Sequence, residues 1–316
     1  MIRVVLWRLA LVAGTLLLVS IMVFALSDVL QGDPGRAILG KFATAEQVAQ
    51  VDRELGADRP LVERYVDWAG GFVRGDWGKS YVMRVPVFPL VMERLGKSLL
   101  LAILGILFTL PISIALGVLA ATRRGSWVDH TISVAGLALV SIPEFVSGTF
   151  CLIVFGVWLR WFPVSALAPD GAGFWDQIYR LVLPAVPVAL LLFGYIARMT
   201  RSAMIEALES DYVRTALLKG LPGSTVILRH ALPNALLPTI SVVGTQFGLL
   251  IGGLVVLEVL FNYPGIGRLI LDSALAHDLP VLGPAVLAVS VVFMACSLIA
   301  DALFYILNPR SRRQAA

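Results

Sequence analysis

One segment near the middle of the chain concentrates charged side chains that could bind a protein partner. It reads "DYVRTALLKGLPGSTVILRHALPNALLP", covers residues 211–238 and lies between two strongly apolar stretches. Arg214 and Lys219 stand beside the apolar residues of this segment, and Gly220 and Pro233 interrupt it. We interpret the segment as a docking surface that could pair with acidic groups. The alternative is that its charges only fix the orientation of the neighbouring membrane spans.

The sequence lacks the spacings of common catalytic and metal sites. Its three histidines are not in an HExxH pattern, and no GxSxG motif is present. Cys151 and Cys296 lack a CxxC spacing, which favours packed small side chains over a disulfide or a metal site. The stretch "GDWGKS" has Val73 where a phosphate-binding loop needs glycine. We therefore predict no catalytic residue, metal or cofactor in this chain, and no nucleic-acid partner.

Three carboxylates fall inside apolar windows. Glu258 and Asp301 lie near the predicted ends, where a side chain can reach the interface. Glu144 follows a proline and lies deeper, so it is a candidate for a translocation pathway or simply a hydrogen-bonded group at a broken helix. An intramembrane enzyme acting through Glu144 or Asp301 is an alternative, but no second carboxylate completes a dyad.

The composition defines what must position these residues. Of 316 residues, 58% are hydrophobic and 15% charged, and the mean hydropathy is +0.87. Soluble domains are about 45–50% apolar and about 25% charged. We therefore predict an all-α polytopic membrane protein, because lipid offers no partner for open sheet edges.

Six windows are long enough to span the bilayer, and four prolines interrupt some of them: Pro111, Pro143, Pro187 and Pro284. The first window has a longer apolar core than a signal peptide, so we expect a retained span. The windows are 5–26, 98–121, 132–158, 180–199, 236–260 and 282–306.

Basic residues predict the orientation. They concentrate before the first window, at Arg123 and Arg124, in the 211–238 segment and in the last residues. By the positive-inside rule, both termini and the 211–238 segment face the cytoplasm. A stand-alone channel or ion-driven carrier remains an alternative, although we see no internal repeat of the kind such carriers often have.

The loop at 28–97 is polar enough to fold outside the membrane. Thr44 and Gln47 have capping-box spacing, and a second helix is expected near Pro60. These amphipathic helices form either a contact surface for an external partner or a cap over the bundle. We divide the chain into 1–97 (first span and outer loop), 98–306 (a five-helix core with a cytoplasmic loop at 200–235) and a tail at 307–316.

The central segment predicts a rigid elbow. As one helix, residues 204–220 place Tyr212 on the same face as Ala216. Gly220 stops this helix, a second short helix follows, and Pro233 sets the angle of return into the bilayer. A stiff turn of this kind can transmit a displacement that a free loop cannot.

The fifth window combines small and polar residues. Gly244, Gly248 and Gly252 are four residues apart, which lets another helix approach closely. Thr245 and Gln246 are polar at membrane depth and join Glu144 as pathway candidates.

The elbow resembles the EAA---G---------I-LP loop of inner-membrane permeases of binding-protein-dependent ABC importers. Anchored on Gly220, the LP pair falls on Leu232 and Pro233, whereas the Ile position is His230. The EAA positions are 214–216, "RTA", a departure similar to the peptide-importer branch. Further strings match the B-type subunit of dipeptide and oligopeptide permeases in the same order: "LGADRPLVERYVDW", "GDWGKS", "ATRRGSWVDH", "SIPEF", "LEVLFNYPGIGRL" and "DALFYILNPR".

This resemblance implies the type I importer fold in a bacterial inner membrane. It implies a heterodimer with a second permease, two ABC ATPase subunits that hold ATP and Mg, and an extracytoplasmic binding protein. The implied solutes are di- and oligopeptides, with nickel, glutathione or another small solute as alternatives. The residues implied in coupling to the ATPase are Asp211, Tyr212, Arg214, Thr215, Ala216, Lys219, Gly220, Leu232 and Pro233.

Overall fold

A computed structural model describes residues 2–31, 43–54, 59–169 and 171–307. Across these ranges the chain is helical, and its β-structure is a single isolated bridge between Lys79 and Pro86. The helices are α1 (Ile2–Gln31), α2 (Ala45–Glu54), α3 (Leu61–Arg74), α4 (Val87–Thr122), α5 (Trp127–Ser141), α6 (Glu144–Cys151, continued by a π-helical segment Leu152–Trp158), α7 (Phe174–Leu208), α8 (Asp211–Leu218), α9 (Leu232–Gly253), α10 (Val255–Leu260), α11 (Ile266–Leu275) and α12 (Leu279–Leu307).

Long apolar helices dominate the fold. Within the described residues, five helices are long and apolar enough to cross a membrane, and their spans are Trp7–Leu26, Val87–Thr122, Phe174–Leu208, Gly223–Gly253 and Leu279–Leu303. A sixth span results if α5 and the helix Glu144–Trp158 are counted together. The prediction of an all-α polytopic membrane protein is confirmed.

The window at 132–158 is not one straight helix. Its two halves, α5 and α6, are bent by 100°. Ile142 has an extended backbone, with φ −81° and ψ 121°, and Pro143 caps the second half. Proline disfavours helical geometry in the residue before it and has no N–H to donate, so the helix ends there. By contrast, α4, α7 and α12 continue through Pro111, Pro187 and Pro284.

One compact unit comprises Leu99–Tyr263 and the chain from Phe293 onward. Within it α7 is central and packs against α5, α6 and α9. Its buried face alternates small and large side chains, among them Leu192, Gly194, Ile196, Ala197 and Met204. This unit carries the 211–238 segment.

A second compact unit comprises Ile2–Ser98 and Pro264–Val292. The capping box that begins α2 is confirmed: the Thr44 N–H donates to Gln47 Oε1 at 3.0 Å, and the Gln47 N–H donates to Thr44 Oγ1 at 3.3 Å. The helix predicted near Pro60 is α3, which packs against α1. The tail after Leu307 lies outside the described residues.

Candidate functional site

The charged central segment folds as a short helix, α8, held between two turns. The single helix predicted over 204–220 is wrong, because α7 ends at Leu208 and α8 begins at Asp211. Ser210 between them is extended, with φ −75° and ψ 151°. Its hydroxyl donates to the Ala207 carbonyl at 2.5 Å, which offers the backbone an alternative to the helical ladder. The chain therefore changes direction at residues 209–210, about ten residues before the stop at Gly220 that the apolar pattern indicates.

One face of α8 is fixed to the body of the protein. Val213 and Ala216 are buried, whereas Tyr212, which the single-helix prediction placed with Ala216, is 37% exposed. The cluster around them brings together residues from three other parts of the unit, namely Ala121, Ala203, Met204, Ala207, Val226, Ala231 and Ala235. We call this the elbow core. It ties α8 to α7, to the end of α4 and to the start of α9.

The opposite face of α8 is exposed and mixed in character. Leu217 and Leu218 are 53% and 82% exposed. Arg214 and Lys219 are exposed beside them. The same face also exposes Asp211 and Thr215, whose hydroxyl donates to the Asp211 carbonyl at 2.8 Å. Two free leucines with adjacent cations form a surface suited to an apolar and acidic partner.

Gly220 ends α8 in a left-handed conformation. Its φ is +77°, and its N–H donates to the Leu217 carbonyl at 2.9 Å. The following N–H, that of Leu221, reaches back to the Ala216 carbonyl at 3.4 Å. A Cβ at position 220 would meet no atom within 4 Å. Backbone strain rather than lack of space is therefore what favours glycine here.

The return toward the membrane is helical rather than hinged at Pro233. A single turn, Gly223–Thr225, runs into a π-helical segment, Val226–Ala231, and directly into α9. The wider π register before Pro233 coincides with the position where proline removes a hydrogen-bond donor. The Asn234 side chain donates to the His230 carbonyl at 2.8 Å. Leu232 is half-buried against the elbow core, and Pro233 is exposed.

An ion pair that the sequence alone did not indicate anchors the C-terminal part of α7. Arg201 on α7 contacts Asp129 on α5 at two points: Nε donates to Oδ1 at 2.5 Å, and Nη2 donates to Oδ2 at 2.8 Å. The carboxylate also accepts the Gly125 N–H at 3.0 Å and the Ser133 hydroxyl at 3.3 Å. Asp129 is 4% exposed. A buried carboxylate with four donors holds two spans at a fixed distance.

A second ion pair lies on the surface of the same region. Arg124, in the turn between α4 and α5, pairs with Glu209 at the end of α7. Both side chains are mostly exposed, so this pair stabilises less than the buried one. Opposite charges at the ends of consecutive windows on one side of the membrane are the signal that could have indicated these contacts. The turn at 123–126 is thus attached to the end of α7, and α5 is attached to the same helix through Asp129.

The three glycines of α9 do not share one role. A Cβ at Gly248 would lie 2.8 Å from Phe293 Cδ2, and a Cβ at Gly244 would overlap the Ala300 side chain. Both glycines therefore allow α12 to approach α9 closely. Gly252 has no atom within 4 Å of a built Cβ and takes no part in this contact.

The pathway candidates lie on or near an open side of α9. Thr245 is exposed, together with Leu249 and Gly252 on successive turns, while Gln246 is half-buried. Glu144 is half-buried at the start of α6, and its Oε1 lies 4.0 Å from a Cβ built on Gly253. Residues 245 and 253 are eight positions apart, about 12 Å along a helix. The structure therefore places Glu144 beside the end of α9, not beside the Thr245–Gln246 pair.

The burial of Glu258 differs from the expectation. Glu258 on α10 is fully buried, so the interpretation of a side chain reaching toward the interface is wrong.

No group of three or more His, Cys, Asp or Glu side chains suited to a metal ion occurs in the described part of the chain. Cys151 and Cys296 are both free.

The fold and the site define a multi-pass helical membrane protein with a rigid, exposed elbow between two of its spans. Residues 113–313 match the family model of the binding-protein-dependent transport system inner membrane component, and residues 1–102 match the N-terminal model of such membrane components. The chain belongs to this family. It is a permease subunit of an ABC transporter, as the sequence resemblance predicts, and not an enzyme.

Relatives match along the whole chain. A Brucella abortus (strain 2308) protein provisionally named as a peptide transport system permease is 39% identical over 312 residues, covering 99% of both chains. The glutathione transport system permease protein of Escherichia coli (strain K12) is 36% identical over 315 residues, again covering 99% of both. A crystal structure of an amino acid ABC transporter with histidines aligns with a TM-score of 0.47 at 15% identity, over 71% of this chain and 94% of that one.

Proposed function

We propose that α8 is the coupling helix of a peptide importer and docks on an ATP-hydrolysing partner subunit. The observation that carries the proposal is the division of α8 into two faces. Val213 and Ala216 are buried in the elbow core, whereas Leu217 and Leu218 are exposed. Arg214 and Lys219 flank the exposed leucines and supply charges for acidic groups on the partner. The residues assigned to coupling remain Asp211, Tyr212, Arg214, Thr215, Ala216, Lys219, Gly220, Leu232 and Pro233.

The contacts around α8 provide a route for movement. A displacement of α8 acts on Ala203 and Ala207 of α7 and on Ala235 of α9 through the elbow core. The Asp129–Arg201 pair extends the connection from α7 to α5. Packed cores and ion-paired helices move as units rather than deforming continuously. A rigid push on α8 is thereby converted into a movement of several spans.

The remaining partners follow from the family and from the sequence, which has no phosphate-binding loop of its own. We infer that a homologous second permease completes the pathway and that two ABC ATPase subunits bind ATP and Mg. An extracytoplasmic binding protein delivers the solute. The chain is placed in the bacterial inner membrane with both termini and α8 in the cytoplasm, supported by the basic residues around α8.

Half of the translocation pathway is assigned to the open side of α9. Thr245 and Gln246 provide polar groups, and Glu144 provides a carboxylate beside the end of the same helix. An ionisable group at membrane depth is costly to retain unless it serves a water-filled path or a partner charge. We propose that the open face formed by Thr245, Leu249 and Gly252 borders this path.

Di- and oligopeptides are the proposed solutes. Relatives that match this chain over 99% of its length are named for peptide transport, and others for glutathione, itself a small peptide. Glutathione, nickel or another small solute is the alternative within the same architecture. Uptake assays with the binding protein that co-purifies with this permease, offered peptides, glutathione and nickel in turn, distinguish these solutes.

Cross-linking tests the docking. A cysteine at Leu218, in a chain with Cys151 and Cys296 replaced by alanine, should form a cross-link to the ATPase subunit in membranes. The matched control is a cysteine at Leu275, which is 72% exposed but lies in the loop region that we place outside. A cross-link from position 275 but not from 218 would reject the assignment. Solute flux by this chain without ATP or an ATPase would instead support a channel or ion-driven carrier.

A further inference from the structure

Helix α3 has a wide apolar arc of which only part is covered by protein. At about 3.6 residues per turn, Tyr65, Trp68 and Phe72 share one side of α3. Val62, Val66 and Val73 form the adjoining stripe, and they are 70%, 59% and 84% exposed. Glu63, Asp67 and Arg74 occupy the opposite, charged side. We call the three valines the valine stripe.

The aromatic side of α3 is fixed to α1. The Ser20 and Tyr65 hydroxyl groups lie 2.7 Å apart, in hydrogen-bond contact. The Phe24 ring lies 5.5 Å from the rings of both Tyr65 and Trp68. Phe72 continues the row by stacking on Trp77 at 4.7 Å. These contacts fix the position of α3 along the axis of α1, at Ser20 and Phe24.

The part of α1 that contacts α3 lies within a candidate membrane span. The span of α1 runs from Trp7 to Leu26. Ser20 is six residues before its C-terminal end, about 9 Å at about 1.5 Å per residue. An interfacial helix buries its apolar face about 5–10 Å into the boundary between headgroups and acyl chains. The Ser20–Tyr65 contact therefore places α3 at the depth of such a helix.

We propose that α3 is an interfacial helix whose valine stripe inserts into the leaflet that holds the C-terminal end of α1. Insertion of the three valines among acyl chains removes their exposed apolar surface from water, which is favourable. The charged side of α3, with its Arg59–Asp67 ion pair, then faces the headgroups and water. Tyr65, Trp68 and Trp77 match the preference of aromatic rings for the membrane interface. The valine stripe is thus a lipid contact rather than a docking site for a binding protein.

Site-directed spin labelling of the complete transporter in lipid bilayers tests this. Labels are placed singly at Val62, Val66 and Val73, with Glu63 and Asp67 as matched controls, in a chain with Cys151 and Cys296 replaced by alanine. At the valine stripe, collisions with molecular oxygen, which partitions into lipid, should exceed those with a water-soluble nickel chelate. At positions 63 and 67 the order should reverse.

The other outcomes overturn the proposal. Frequent collisions with the nickel chelate at the valine stripe would mean that it faces water. Few collisions with either reagent, together with an immobilised label, would mean that another protein chain covers it. Binding of the ATPase to α8 in the same preparations is measured in parallel, so that loss of docking and loss of lipid contact are distinguished.

Discussion

Arg201 and Asp129 form a two-point ion pair that joins α7 to the first turn of α5, with both N–O distances at or below 2.8 Å. The arginine is 30% exposed, whereas the carboxylate is almost fully buried. Because the carboxylate is buried, its negative charge is stabilised mainly by the positive guanidinium of Arg201. This pair lies two helical turns before the end of α7, the helix against which α8 packs through the elbow core.

Asp129→Asn should destabilise the protein by about 3 kcal/mol, since removing one member of a buried pair leaves the other uncompensated. Chemical denaturation of the purified protein measures this effect. In the double variant Asp129→Asn, Arg201→Gln, the loss should be smaller than the sum of the single losses. Asp176→Asn is the matched control, because its pair with Arg180 is more exposed; its effect should stay within about 0.5 kcal/mol. Equal losses in the two Asp→Asn variants would contradict the assigned importance of the buried pair.

Gly220→Val should uncouple transport from ATP hydrolysis while the chain still inserts into the membrane. A β-branched residue at φ +77° is strained by about 1–2 kcal/mol, so the end of α8 will rearrange. The measurement is ATP-dependent uptake beside ATPase activity in proteoliposomes. Gly223→Val is the control, because position 223 has open space and no positive φ. Normal uptake by the Gly220 variant would show that the shape of this turn is not needed.

Leu218→Asp should abolish or strongly weaken binding of the ATPase subunit, because it introduces a carboxylate into a surface that we expect to meet apolar and acidic groups. The free energy of unfolding of the permease should change by less than about 0.5 kcal/mol, as is usual for a substitution at an exposed site. Co-purification of the ATPase with the permease measures the effect. Leu275→Asp, a substitution at a similarly exposed leucine, should leave co-purification unchanged. Intact co-purification of the Leu218 variant would place the docking surface elsewhere.

Gly248→Ala should destabilise the packing of α9 against α12 by about 1–3 kcal/mol, because the added methyl group would lie 2.8 Å from the Phe293 ring. Gly252→Ala, four residues later, should leave stability unchanged. Thermal unfolding of the two variants in detergent makes the comparison. If the Gly252 variant were the less stable one, the close approach of α12 would have been assigned to the wrong end of α9.

Glu144→Gln should reduce peptide uptake without loss of assembly. Removing the charge would cost one charge-assisted hydrogen bond to a peptide ammonium group, about 1.5 kcal/mol or roughly a tenfold loss of uptake at low peptide concentration. Uptake at several peptide concentrations measures this. Ser147→Ala is a control on the same helix, since the Ser147 hydroxyl contacts only the Glu144 carbonyl among the described residues. An equal effect of both substitutions would indicate a structural role for Glu144.

The sequence correctly predicted a helical elbow that stops at Gly220. It did not predict the break between α7 and α8. The apolar pattern cannot distinguish one helix over 204–220 from two helices at an angle, because both place apolar residues at helical spacing. Ser210 decides the matter through a hydrogen bond to Ala207 that competes with the helical ladder. The stop at Gly220 was readable because it depends on the conformational freedom of that residue alone.

Properties that add up along the chain were therefore accessible from the sequence. Hydropathy indicated an all-helical membrane protein, the capping box located the start of α2, and the order of short motifs indicated the permease family. Tertiary structure alone decided that Asp129 pairs with Arg201, that Gly248 but not Gly252 lies under α12, and that α3 lies along α1. The physical reason is that a side chain's contribution to hydropathy is local, whereas ion pairing and close packing depend on which distant helices become neighbours.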